Sequence, residues 1–257
     1  MKHLELSVVI PAFNESQRLG KTLEQTVAYL KQQPYSSEIW VVNDGSTDAT
    51  SDLVKTFIAK DVQNEVRVHL ISLKRNGGKG AAVRTGVLAA QGDVVLFMDA
   101  DNSTPVSEYE HLVPFLHQGL EVVIGSRALR EVEVKQPLYR QWMGKIFNVM
   151  VRKITVPNIQ DTQCGFKAFQ RETILKIFPY QTIQQFGFDV ELLFIARKRK
   201  YRIQEVPVIY RNAMGSKVHP IRDAARMFLN LFEIRFKDFF GKYQLKEIPP
   251  GVITHNE

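Results

Sequence analysis

Asp93-Val94-Val95-Leu96-Phe97-Met98-Asp99-Ala100-Asp101-Asn102-Ser103 is the stretch on which the fold turns. A short apolar run, the length of a buried strand, stops at two carboxylates one residue apart. Strand alternation sends Asp99 and Asp101 to one side, and at the C-terminal end of a strand in an α/β sheet that side faces the crevice where ligands bind. Two hard oxygen donors there suit Mg²⁺ or Mn²⁺. The same letters also read as a turn, in which Asp101-Asn102-Ser103-Thr104-Pro105 reverses the chain and caps the next helix.

The neighbouring segments give this strand its company. Upstream, Leu6 to Ile10 is a strand-length apolar run stopped by Pro11, and Glu15 to Lys31 carries Leu19, Leu23, Val27 and Leu30 at helical spacing. Glu38 to Val42 reads as a second buried strand, which breaks into the turn-rich Asn43 to Asp48 and a helix over Ser51 to Ala59. Val66 to Leu73 is a third strand, Gly77-Gly78-Lys79-Gly80 a loop, and Ala81 to Ala90 a helix leading into the strand above. Downstream, Glu121 to Gly125 is a further strand ending at Ser126-Arg127. Strands alternating with helices predict a mostly parallel sheet covered on both faces, with ligand chemistry in the loops after the strands.

Two amphipathic helices follow. Leu138 to Ile154 places Leu138, Trp142, Ile146, Val149 and Met150 on one face, beside Arg140, Lys145, Arg152 and Lys153. Ile221 to Phe240 carries Met227, Phe228, Leu231, Phe232, Phe236, Phe239 and Phe240, with Arg222, Arg226, Arg235 and Lys237 among them. Each reads either as core packing or as a helix lying on a bilayer with a basic flank.

Charge sharpens that choice. Of the 257 residues, those up to Phe194 balance at 21 basic and 21 acidic, whereas Ile195 to Lys246 holds 13 basic and four acidic residues. The overall +7 therefore belongs to the C-terminal quarter. Such a patch serves a nucleic acid, an anionic membrane or an anionic substrate. No nucleic-acid-binding motif accompanies it, so no nucleic acid partner is expected. The single Cys164 excludes an internal disulfide, no signal-peptide pattern follows Met1, and no apolar run reaches the roughly 18 residues of a membrane span, which predicts a reducing cytosolic setting. No His-based metal spacing is present, and Cys164 has no His near it in sequence to activate a thiolate.

Gly78-Lys79-Gly80-Ala81-Ala82-Val83, followed by acids about 20 residues on, nearly spells the dinucleotide fingerprint of a dehydrogenase. Val83 stands where the third small residue belongs, and two βα units precede a loop that normally sits on the first. Taken together, Val9-Ile10-Pro11-Ala12-Phe13-Asn14-Glu15, Val42-Asn43-Asp44-Gly45-Ser46-Thr47-Asp48 and Asp99-Ala100-Asp101 resemble the three nucleotide-sugar motifs of family 2 glycosyltransferases, in order and at their usual separations. Further on, Asp161-Thr162-Gln163-Cys164-Gly165-Phe166-Lys167, Phe188-Asp189-Val190-Glu191-Leu192-Leu193, Arg211 and Gly215-Ser216-Lys217 resemble the polyprenyl-phosphate branch, closest to dolichyl-phosphate β-glucosyltransferases. The resemblance covers about residues 5–220.

It implies a GT-A fold, α/β and Rossmann-like, over residues 1–217; the amphipathic pattern and charge then predict a basic membrane-associating helix over 218–246 and a tail over 247–257. It implies a UDP-sugar donor held by Pro11, Ala12, Glu15, Asp44, Lys79 and Ala100, with Asp99 and Asp101 gripping the sugar and the Mg²⁺ or Mn²⁺ diphosphate. Asn43 departs from the Asp-Asp pair common in the family, and Ser103 stands where related mannosyltransferases use a Gln on the metal. A sugar hydroxyl as acceptor would need a carboxylate base. A polyprenyl phosphate is already ionised, attacks C1 directly with inversion, and asks for cations such as Arg127, Arg211 and Lys217. Asp161, Gln163, Asp189 and Glu191 are then candidates for binding sugar hydroxyls or orienting those cations; Asp189 and Glu191 share one side if extended, or else cap and open a helix. Members of this branch carry an N-terminal anchor or C-terminal spans; here the amphipathic helices are expected to hold the enzyme peripherally on the cytoplasmic face of a membrane. Other donors (GDP-mannose or UDP-N-acetylglucosamine), a soluble acceptor, or a catalytically silent nucleotide- or membrane-binding module are the competing readings. The oligomeric state is not legible.

Overall fold

The computed structural model describes residues 4–60, 65–129, 149–211 and 220–244, with 220–224 as backbone alone. The chain runs β1 (Leu4–Ala12), α1 (Leu19–Leu30), β2 (Ser36–Asn43), α2 (Thr50–Lys60), β3 (Arg67–Ser72), α3 (Lys79–Ala89) and β4 (Val94–Met98). A 3₁₀ turn (Val106–His111) and α4 (Val113–His117) lead to β5 (Val122–Ser126). Residues 149–154 are helical, here α5. Then come β6 (Phe166–Gln170), α6 (Arg171–Ile177), a 3₁₀ turn (Phe178–Tyr180), α7 (Phe188–Lys198), β7 (Ile203–Pro207) and α8 (Pro220–Phe239). Most of the helix expected at Leu138 to Ile154, the Gly215-Ser216-Lys217 motif and the 247–257 tail lie outside the described residues.

One seven-stranded sheet runs β3-β2-β1-β4-β6-β5-β7. Its strands are parallel except β6, which is antiparallel to both β4 and β5. Alternation along the central strands divides the core in two. Val9, Val95 and Phe97 face α3 and α7, while Val8, Ile10, Leu96 and Met98 face α1. Each such fully buried side chain contributes about 1.5–3 kcal/mol over its exposed state. These are the near-continuous apolar runs expected of strands covered on both faces.

Three sequence expectations shift. β1 does not stop at Pro11 but continues to Ala12, paired with β2 through Pro11↔Val42 and Ala12↔Asn43. Pairing with β4 ends at Val9↔Phe97, so the missing proline N–H interrupts no ladder on that side. β4 ends at Met98, so the carboxylates of Asp99 and Asp101 sit in the turn after the strand rather than on it. Finally, β6 had no counterpart in the reading of the sequence: Lys167 interrupts its apolar pattern yet is fully buried there.

At the opposite edge of the sheet, buried Glu38 accepts from Ser7 Oγ at 2.6 Å and from the Gln91 N–H at 2.8 Å. His69, stacked on Trp40, lies 3.4 Å from its second oxygen. Burial works against the charged carboxylate, but these hydrogen bonds prevail and hold its pKa at about 2.

Candidate active site

Because β1, β2 and β4 are parallel, their C-terminal ends bring Pro11-Ala12, Asn43-Asp44 and Asp99-Ala100-Asp101 to one edge. Asp44 knits that edge together. Its N–H donates to the Ala12 carbonyl at 2.8 Å, and its carboxylate accepts from Gly77 N–H at 2.7 Å and Gly78 N–H at 2.8 Å. Burial raises its pKa against the pull of those two N–H groups. Asn43 uses its Oδ1 to accept from Ser46 N–H at 3.1 Å, which makes it a turn former. Glu15 grips the Arg18 guanidinium through both oxygens, at 2.8 and 2.7 Å, and Arg18 in turn lies 3.6 Å from Asp101.

The two carboxylates of the opening stretch have different partners. Lys79, the first residue of α3, puts its ammonium 2.5 Å from Asp99 Oδ1. Gly165, just before β6, backs onto the same carboxylate so closely that a Cβ there would sit 2.2 Å from Oδ2. Asp101 accepts from Ser103 N–H at 3.0 Å, and Asn102 takes φ +53°. The turn and the site are thus one object: Asp101 closes the turn with one oxygen and turns the other toward Arg18. Both carboxylates remain partly open, with 32% and 23% of the side chain exposed.

Beneath them lies a buried pair. Lys167 Nζ donates to Asp189 Oδ1 at 2.6 Å and to the Cys164 carbonyl at 2.5 Å, and neither charged group reaches solvent. Burial raises the Asp189 pKa against Lys167 and Lys79. For Lys79, burial opposes the charge, but Asp99 and then Asp189 raise its pKa. Basic and acidic side chains therefore alternate from Lys167 through Asp189 and Lys79 to Asp99. The Cys164 thiol is pushed up to about 12 by burial, which removes it as a nucleophile.

The glycine loop does not serve a dinucleotide. Gly80 N–H donates to the Gln184 carbonyl at 2.7 Å, so the start of α3 is roofed by residues 181–187 rather than open to a pyrophosphate. A Cβ on Gly78 would lie 2.5 Å from Gln185 Nε2, and one on Gly80 would lie 2.7 Å from Phe188 Cβ. These glycines are there for close packing.

The family model described as glycosyl transferase family 2 matches residues 7–178. The chain belongs to that family. Dolichyl-phosphate beta-glucosyltransferase of Dictyostelium discoideum is 35% identical to this glycosyltransferase over 95% of its chain and 78% of the relative. The human protein of that name is 34% identical over the same shares, and the Saccharomyces cerevisiae one 35% identical over 93% and 76%. Among solved structures, mannosyl-3-phosphoglycerate synthase from Rubrobacter xylanophilus superposes with a TM-score of 0.67 at 19% identity, covering 97% of this chain and 78% of that one. Glucosyl-3-phosphoglycerate synthase from Mycobacterium tuberculosis, in complex with Mn²⁺, UDP and glucosyl-3-phosphoglycerate, gives 0.62 at 19%, covering 95% and 82%. The sheet is that of the GT-A fold.

On the far side of the carboxylates the glycosyltransferase departs from what its sequence suggests. Arg127, just past β5, forks onto Asp161: Nε lies 2.7 Å from one oxygen and Nη2 2.8 Å from the other, with the backbone N–H also donating at 2.9 Å. That guanidinium, packed 5.2 Å from the Tyr210 ring, enters the site already neutralised, and Asp161 is a structural counter-ion rather than an open sugar contact. Gln163 donates its N–H to Asp161 at 3.2 Å, while its buried Nε2 makes no hydrogen bond. Asp189 and Glu191 do not share a side, because they open α7 and two helical steps separate them by about 200°. Glu191 faces away from the site and is fully occupied. It accepts from Thr182 N–H and Oγ1 at 3.0 and 2.5 Å, Ile183 N–H at 2.8 Å and Tyr243 Oη at 2.7 Å. Arg211 is exposed, and its N–H donates to the Ser103 carbonyl at 2.7 Å, beside the Asp101 turn. Lys217 lies outside the described residues.

Sequence reasoning gave no role to Arg18, Lys167 or Gly165. For Lys167 the signal was a lysine inside a strand-length run, Phe166 to Phe169; for Arg18 there was none beyond its nearness to Glu15. Among the described residues no group of three or more His, Cys, Asp or Glu side chains converges as a preformed metal cage. Two partly open carboxylates do suit Mg²⁺ or Mn²⁺ completed by substrate phosphates, since Mg²⁺ is commonly held by one or two carboxylates together with those oxygens.

Proposed function

We propose that this glycosyltransferase moves glucose from UDP-glucose to a polyprenyl phosphate, dolichyl or undecaprenyl, with inversion at C1. The observation that carries the acceptor is the naming of its relatives as dolichyl-phosphate beta-glucosyltransferases along nearly the whole chain. The carboxylates around the site agree with it. Asp161 is paired with Arg127, Asp189 with Lys167, and Glu191 with hydrogen-bond donors, so none of these three stands ready as a general base. A phosphate acceptor needs none, because it arrives ionised.

In this reading Pro11, Ala12, Glu15 and Asp44 line the nucleoside end. Asp99 and Asp101 would hold Mg²⁺ or Mn²⁺, which neutralises the departing diphosphate when bound. Lys79 adds a positive charge at the same place, and Asp189 holds Lys79 toward Asp99 from beneath. Arg211, with Lys217, supplies the cations for the acceptor phosphate, and Arg127 shapes the floor through Asp161. No described helix is long and apolar enough to cross a membrane, and we take the enzyme to act peripherally at the cytoplasmic face.

A transfer panel tests the reaction. Radiolabelled UDP-glucose, GDP-mannose and UDP-N-acetylglucosamine are each offered with a short polyprenyl phosphate and Mn²⁺. Label should enter the lipid from UDP-glucose alone. Transfer from another donor would overturn the sugar, and no transfer or hydrolysis from any donor would indicate a silent binding module.

A further inference from the structure

Large apolar side chains stand exposed at eight places among the described residues, and five of them fall between positions 229 and 240. Phe239 is 86% exposed, Leu229 and Phe236 65%, Phe240 62% and Phe232 51%. Their rings adjoin: Phe236 and Phe240 are 4.5 Å apart between centroids, and Phe239 and Phe240 5.4 Å. The inward face of α8 is already satisfied by Asn230, Leu231 and Ile234, all buried. The helix is thus apolar on two sides, and packing against its own domain accounts for one of them.

The aromatic end is held in place. After α8, Gly241 reverses the chain with φ +72°, and Tyr243 returns to the core at 1% exposure with its hydroxyl on Glu191. Lys237 donates to Thr182 Oγ1 at 2.6 Å. Phe239 and Phe240 are therefore presented outward from a helix end tied down on both sides, so little ordering is left to be done on docking.

Charge identifies the occupant. Arg226 and Arg235 on α8 and Lys242 just after it are exposed, Arg235 also lying 5.9 Å from the Phe194 ring, and the exposed acid among them, Glu233, is paired with Lys237. They belong to a quarter of the chain that holds 13 basic residues against four acidic ones. A second copy placed symmetrically would set this positive patch against itself. An anionic bilayer satisfies both the rings and the cations. We propose that the outer face of α8 docks on an anionic lipid bilayer, with Phe236, Phe239 and Phe240 entering the headgroup boundary. Docking stands on this face alone, while its purpose, delivery of a membrane-borne acceptor, rests on the function proposed above.

Flotation of the full chain with phosphatidylcholine vesicles, with and without phosphatidylserine, tests it. The protein should float with the anionic vesicles and be released by salt. The F236S/F239S/F240S variant, altered only at exposed positions, should keep its circular dichroism and melting temperature and lose at least about tenfold in partitioning. Its UDP-glucose hydrolysis in solution should match the unsubstituted protein. Equal flotation of the variant, or no flotation of the unsubstituted protein, overturns the proposal. So does sedimentation showing an oligomer that the variant breaks into monomers without either form floating. Flotation without lipid glucosylation would leave docking standing and overturn the acceptor instead.

Discussion

Lys167 lies without access to water, held by one carboxylate and one carbonyl. Removing one member of such a pair strands the other charge. Lys167→Met should cost about 3–5 kcal/mol in urea unfolding, whereas Lys167→Met with Asp189→Leu should recover most of that loss. If the single variant were as stable as the parent, the pair would not be carrying charge in the core. Gly165 acts more locally: the Cβ of Gly165→Ala would meet the Asp99 carboxylate. We expect a folded protein with an unchanged melting temperature and a fall in kcat/KM of about 100-fold or more, accompanied by weaker Mn²⁺ binding in the presence of UDP. Glu38 sets an acid limit. Its folded pKa of about 2 lies below the ordinary carboxylate value, so its stabilisation is complete above the unfolded value and is lost as pH falls from about 4.5 toward 2. The contribution is on the order of 3 kcal/mol, and Glu38→Gln should flatten the acid limb of a stability curve over that window.

Segment 181–187 connects two elements that the sequence gives no reason to associate. It roofs the start of α3 through the Gln184 carbonyl, and it is gripped from outside by α8, where Lys237 reaches Thr182 and Asn230 lies against Gly187. Gly80→Ala pushes on this roof from below, since the new methyl meets Phe188. It should destabilise by about 1–3 kcal/mol and raise the KM for the nucleotide sugar, because Lys79 is carried by the same turn of helix. An unchanged KM would mean the roof and the donor edge are independent. The same elements show where reading the sequence works and where it fails. Apolar runs closed by Asn43 and Asp99 located the ends of β2 and β4, since burial on both faces leaves a continuous hydrophobic signature, whereas Pro11 did not stop β1. Asp189 and Glu191 could be read two ways, because a two-residue spacing means one side in a strand and opposite sides in a helix, and only the tertiary context tells which applies. Arg127 and Asp161 were legible as charged residues, but not as each other's partners, since the contact joins segments 34 positions apart.

At the scale of the molecule, the edge that gathers Asp44 and Asp99 was legible and the far side of the carboxylates was not. Three parallel strands that end in polar turns must place those turns together, so Asp44 and Asp99 could be joined on paper. That far side depends on strand β6, whose direction no local pattern announces. The polypeptide leaves the sheet after Ser126 and re-enters at Phe166, and with Ile124 paired to Lys167 the exit and the entrance lie side by side. The described residues of that interval belong to the core as well: Val151, Val156 and Ile159 are buried in it, and Asp161 pairs with Arg127. The segment that re-enters the sheet therefore brings two contacts at once, Gly165 against the Asp99 carboxylate and Lys167 on Asp189, and Met98↔Phe166 fixes the register in which both arrive.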